Sequence, residues 1–263
     1  MRTMVLSIVL AFGSLAVAQA AIKGEPVEYK AGDTVLKGYL VYDDAAKERR
    51  PGVLVVHEWW GLNQHARDSA RKLAEAGYVA LALDMYGGGK QADHPDSAGK
   101  FSGEVRKNLP LMKSRFEAGM QLLRKQPQVN SKQLAAIGYC FGGGVVLEMT
   151  RAGEDLRGVA IFHGGLVTEH PAQPGKVKAQ VLVMNGADDS FVPPEQTAAF
   201  KKEMEGAKVN YKYVSYPGAK HAFTNPDSDA NAAKFNMPIA YNARATQESW
   251  AELQTFLQKI FKD

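Results

Sequence analysis

The sequence predicts an α/β fold: one doubly wound, mostly parallel sheet of eight strands with helices on both faces. Five short apolar runs, at residues 53–56, 78–83, 134–138, 159–162 and 181–184, lack the polar alternation of a half-solvated sheet. Such runs read as parallel strands covered on both sides. Stretches of helical spacing separate most of them, which is the alternation that builds a parallel sheet. No internal repeat, low-complexity tract or Pro/Gly/Ser linker divides the chain, and 263 residues can enclose one large core.

Residues 26–30 and 34–42 alternate apolar and polar side chains around Ala31-Gly32-Asp33 and predict an antiparallel hairpin ahead of the parallel strands. After the strand at 53–56, residues 64–76 carry Ala66, Ala70, Leu73 and Ala74 on one helical face and stop at Gly77, a residue suited to a helix end. The strand at 78–83 is followed by a predicted helix over 105–125, the strand at 134–138 by a helix over 143–151, and the strand at 159–162 directly by that at 181–184. A helix over 195–205, a last strand over 210–216 and a helix over 243–262 complete the order. Ligands of such sheets sit beyond the carboxyl ends of the strands, so the residues just after each strand are where chemistry is sought.

Composition narrows the function classes. The chain is 45% hydrophobic and 23% charged, ordinary for a folded globular protein. Its formal charge of +4, from 32 basic and 28 acidic residues without blocks, is too weak and too mixed to suggest a nucleic-acid or anionic-membrane partner. The first 20 residues read as an export leader: Arg2 is a short positive start, the run from Met4 to Val17 is almost wholly apolar, and Ala18-Gln19-Ala20 has the small-x-small form of a cleavage site. The expected mature protein is therefore periplasmic or secreted, one domain over residues 21–263. An exported protein usually spends its cysteines on disulfides. This one has a single cysteine, Cys140, which singles that thiol out.

The strand ends carry His57-Glu58-Trp59-Trp60-Gly61, Asp84-Met85-Tyr86-Gly87, Gly138-Tyr139-Cys140-Phe141-Gly142, Gly186-Ala187-Asp188-Asp189-Ser190-Phe191 and His221-Ala222-Phe223. Gly138-x-Cys140-x-Gly142 has the form of a nucleophile elbow with Cys in the usual place of Ser. The flanking glycines leave room for a tight strand-to-helix turn, and the helix N-terminus behind the sulfur favours thiolate. Cys140, Asp189 and His221 follow in the order nucleophile, acid, histidine that this architecture uses. Asp189 is preferred to Asp188 because Val192-Pro193 opens the next helix just beyond it.

These motifs, with His57 to Asn63 and Asp189 to Pro193, resemble the dienelactone hydrolase family over nearly the whole chain after the leader. The resemblance implies an α/β-hydrolase fold and a hydrolase of carboxylic esters or lactones working through a thioester. It implies Cys140 as nucleophile, His221 as base, Asp189 as its orienting acid, and Glu58 meeting the resting thiol. The backbone N–H groups of Trp59 and Phe141 match the family's oxyanion hole. Trp60, Tyr86, Phe191 and Phe223 are expected to wall the substrate pocket together with Trp59 and Phe141. No metal or dissociable cofactor is expected, and the partner is a small-molecule substrate.

Two arginines that hold a substrate carboxylate in the family's namesake enzymes are absent: their places read Gly87-Gly88-Gly89 and Thr224-Asn225. Lys90 is the nearby substitute, and its loose setting predicts a preference for uncharged substrates. Other motifs fail. A zincin would need a second histidine at Gly61, a P-loop would need glycine at Asp84, and a calcium loop would need glycine at Ala232. A non-catalytic binding protein on the same fold and a thiol redox protein are the competing readings; the latter lacks a resolving cysteine.

Overall fold

The computed structural model describes residues 21–262, so the expected leader lies outside the described residues. Eight strands form a single sheet in the order β1-β2-β4-β3-β5-β6-β7-β8. β1 (Ile22–Ala31) and β2 (Thr34–Asp43) are the expected hairpin, and β2 pairs antiparallel with β4 (Val79–Leu83). From β4 onward the strands β3 (Arg50–Val56), β5 (Val129–Tyr139), β6 (Gly158–Phe162), β7 (Gln180–Gly186) and β8 (Tyr211–Tyr216) are parallel.

The apolar runs are what this sheet requires. Side chains alternate between its faces. Leu54 and Val56 enter one core with Leu81 and Ile161, while Val53 and Val55 enter the other with Ala80 and Ile137. Every residue of β4 and β6 is buried. Helices cover both faces: α1 (Gln64–Glu75), α4 (Phe141–Ala152), α5 (Pro194–Gly206) and α7 (Ala243–Lys262) stand where the sequence predicts them.

The predicted helix over 105–125 is instead two, α2 (Pro95–Arg106) and α3 (Leu109–Arg124). Asn108 stops the run by acting as an N-cap, its side chain accepting from the Leu111 N–H at 3.0 Å, with Pro110 in the first turn where a missing N–H costs little. α2 escapes a periodicity reading because Gly99, Gly103 and six polar residues leave it few apolar side chains to mark a face. A short helix, α6 (Ser228–Phe235), is also additional. The corner between α2 and α3 folds over the carboxyl edge of the sheet. From β3 the chain runs outward to β4 and returns to β5 on the other side, so β3 and β5 flank the topological switch point where such sheets bind ligands.

Candidate active site

Cys140 stands at that switch point, between β5 and α4, with φ 51° and ψ −113°. A non-glycine residue at positive φ costs about 1–3 kcal/mol and persists only when its surroundings enforce it. Here the Cys140 N–H donates to the Phe162 carbonyl at 3.0 Å, and its carbonyl accepts from the Gly144 N–H at 3.3 Å. The two elbow glycines permit this turn. A Cβ at Gly142 would lie 2.3 Å from the Val56 carbonyl oxygen at the end of β3, and one at Gly138 would lie 2.1 Å from that of Gly142.

Asp189 leaves β7 buried, and one carboxylate oxygen accepts from the Phe191 N–H at 2.9 Å. The other meets Nδ1 of His221 at 2.8 Å. That leaves the far edge of the imidazole free on the side of Cys140, and both residues line one cavity. Burial opposes a charge on His221, yet the Cys140 sulfur and Asp189 outweigh it and raise its pKa from 6.5 to about 10. Asp188, one residue earlier, is exposed.

Sequence reasoning missed the support behind this pair. His163, itself at φ 40° and fully buried, sets its ring 5.3 Å from that of His221 and bonds Thr224 Oγ1 at 2.8 Å. Burial, and then His221, hold its pKa well below the usual value, so it remains neutral beside the charged ring. Nothing local marks His163; its role depends on a threonine 61 residues away.

Glu58 is buried at the end of β3, and Asn225 donates to its Oε2 at 2.6 Å. Asn225 is thus a buried partner of Glu58 and does not stand near the mouth. His57 holds the backbone of this loop. Burial lowers its pKa to about 4, so it is neutral: Nδ1–H donates to the Glu58 carbonyl, while Nε2 accepts from the Met85 N–H at 3.3 Å. Among the described residues, neither the Trp59 nor the Phe141 N–H is taken by a protein acceptor.

One cavity of about 910 Å³ opens over Cys140, lined by Glu58, Trp59, Trp60, Phe141, Phe191 and His221 among others. Three of the expected wall residues do not reach it. Phe223 is fully buried in the core against His163 and Tyr216, because the chain turns its side chain back under the sheet edge. Tyr86 sits behind the wall and donates its hydroxyl to the Trp59 carbonyl at 2.8 Å. Lys90 is exposed and lies over the Phe101 ring, outside the cavity. The cations that do line it are Arg106 and Lys107, on the α2–α3 corner that sequence periodicity did not resolve. The expectation built on Lys90 therefore loses its premise.

An eight-stranded, mostly parallel sheet with Cys140 on the turn after its central β5, Asp189 after β7 and His221 after β8 has the α/β-hydrolase architecture. Residues 36–261 match the dienelactone hydrolase family, and the chain belongs to it. It is 30% identical over 208 residues to Protein usf of Aquifex pyrophilus, covering 77% of this chain and 87% of that protein. Over 240 residues it is 28% identical to a Synechocystis sp. protein named "Putative carboxymethylenebutenolidase", covering 86% and 93%. The crystal structure of a dienelactone hydrolase-like promiscuous phosphotriesterase from metagenomic libraries superposes with a TM-score of 0.84 at 33% identity, over 92% of this chain and 99% of that one. The protein is a hydrolase of esters or lactones acting on a small-molecule substrate.

Proposed function

We propose that this hydrolase works through Cys140, His221 and Asp189 by way of a thioester acyl-enzyme. The observation that carries the reading is the placement of His221, whose Nδ1 meets Asp189 at 2.8 Å and whose pKa is raised by the neighbouring Cys140 sulfur and by Asp189. The Cys140 thiolate attacks the ester carbonyl, a C–S bond forms, and the carbonyl π electrons move to oxygen. The free N–H groups of Trp59 and Phe141 face that oxyanion, and donors of this kind contribute about 3–4 kcal/mol each to the transition state. As the intermediate collapses, the C–O bond breaks and the leaving alkoxide takes the proton from His221. A water then attacks the thioester, giving its proton to the now neutral His221. The second oxyanion expels the thiolate and leaves the carboxylic acid.

Asp189 keeps Nδ1 protonated and aimed, so that the other nitrogen serves both steps. Glu58, tied to Asn225, shapes the polar wall beside the sulfur. The leader reading of residues 1–20 extends this proposal to a hydrolase that acts outside the cytoplasm.

Incubation with a slowly deacylating aryl ester, followed by peptide mass spectrometry, tests the covalent step. The acyl group is expected on Cys140, with the label discharged by hydroxylamine as thioesters are. Acylation confined to another residue would remove Cys140 from the mechanism.

A further inference from the structure

The cavity over Cys140 is larger than the reacting atoms need, and its shape gives a direction. Cys140, Gly144 and Glu148 all line it. They are spaced four residues apart along one face of α4, so the floor runs about 12 Å from the sulfur at 1.5 Å per residue. Leu109, Pro110 and Met112 of α3 wall one side, and Val167 and Thr168 of the loop after β6 line the same cavity. At the far end Glu148 pairs with Arg151 at 2.8 Å, an arginine that Glu203 also holds, and Glu169 and His170 join the lining there.

Two further observations give this groove a purpose. Val167, 70% exposed, lines the groove, while Phe191, 50% exposed, lines the same cavity beside His221, their ring centres 4.9 Å apart on the leaving-group side. Exposed apolar side chains gathered at a cavity mouth mark a site for an apolar ligand. Gly144 keeps the floor open: a Cβ there would meet nothing closer than the Gly165 carbonyl oxygen at 3.9 Å, and its φ is not positive. A glycine free to bear a side chain, yet bare where the groove needs depth, is a volume choice.

We infer that the groove over α4 is an acyl-chain subsite, and that the substrate class is esters with an extended apolar acyl chain. The inference rests on the proposed mechanism, which fixes the orientation. The leaving oxygen must lie at His221 to receive its proton, so the acyl chain points away from it along α4. A chain laid there buries apolar surface against Met112, Leu109 and Val167, a gain of about 0.8 kcal/mol per buried methylene, or roughly threefold to fourfold each.

The experiment compares kcat/KM for p-nitrophenyl acetate, butyrate and octanoate on wild type, Gly144→Leu and Val167→Asp. Wild type is expected to favour octanoate over acetate by at least about tenfold, since two buried methylenes at about threefold to fourfold each already reach that. Gly144→Leu, which fills the floor, and Val167→Asp, which charges the wall, are both expected to shrink the octanoate-to-acetate ratio toward unity. The two changes sit on different elements, so misfolding of one leaves the other to decide. A ratio that falls from acetate to octanoate while turnover still depends on Cys140 would overturn the acyl groove and leave the mechanism standing. An unchanged ratio in both folded variants would do the same. Loss of Cys140 dependence on every ester would overturn both.

Discussion

Cys140→Ala is expected to lower ester turnover by more than about a thousandfold, because members of a catalytic unit fail together when one is removed. The fold should hardly register the change. Cys140 is only half-buried, and alanine meets the same positive φ that cysteine already tolerates. Circular dichroism melting of the two proteins should give nearly the same midpoint. Steady-state rates on p-nitrophenyl acetate supply the other half of the comparison. Residual turnover above about a tenth of wild type, far outside what a lost nucleophile leaves, would mean that the sulfur is a bystander.

Asp189→Asn is expected to cost on the order of 10⁴-fold in kcat, the scale seen when the acid of a serine triad is made neutral. The asparagine still fits between the Phe191 N–H and the His221 ring. It presents an N–H₂ group or a neutral oxygen to Nδ1, so the ring loses both its tautomer and the charge that supports imidazolium. Asp188→Asn provides the control, since Asp188 is exposed and should change kcat by less than about twofold, in line with surface positions that touch nothing. If the two variants ranked the other way, the assignment of the acid would be reversed.

Much of this site could be read from the chain because its chemistry hangs on strand ends. A buried apolar run that stops at glycine announces both the strand and the loop after it, and Cys140 and Asp189 each follow such a stop, while His221 follows the half-exposed β8 and its Gly218 turn. The hairpin of β1 and β2 was legible for the same reason, its period of two being undisturbed. What escaped the sequence depends on direction or on distance. Tyr86 and Phe223 follow strands as Phe191 does, yet the backbone after each strand decides whether a ring faces the cavity or the core, and one sequence carries no sign of that. Asn225 and Glu58 lie 167 residues apart, so their bond has no local signature. The corner at Asn108 was a different kind of miss. Asn108 followed by Pro110 is a helix-start signal, and the apolar spacing that runs through it from α2 into α3 concealed it.

The placement of His221 ties chemistry to the weakest margin of the sheet. Cys140 rises from β5, which has β3 and β6 on either side, whereas His221 follows β8, which hydrogen-bonds only to β7. Strands in the middle of a sheet open only with the whole fold, while those at the margin open locally and more often. Cys140 is therefore built into the last part of the molecule to come apart, and His221 into one of the first. On the proposed mechanism working enzyme and folded enzyme are then separate populations: a molecule whose β8 has peeled away keeps its core and its thiol but loses the histidine that would carry the proton. Selection on this chain for heat or solvent tolerance would act first on the contacts that pin β8 and the turn after it, long before it touched the core around Cys140.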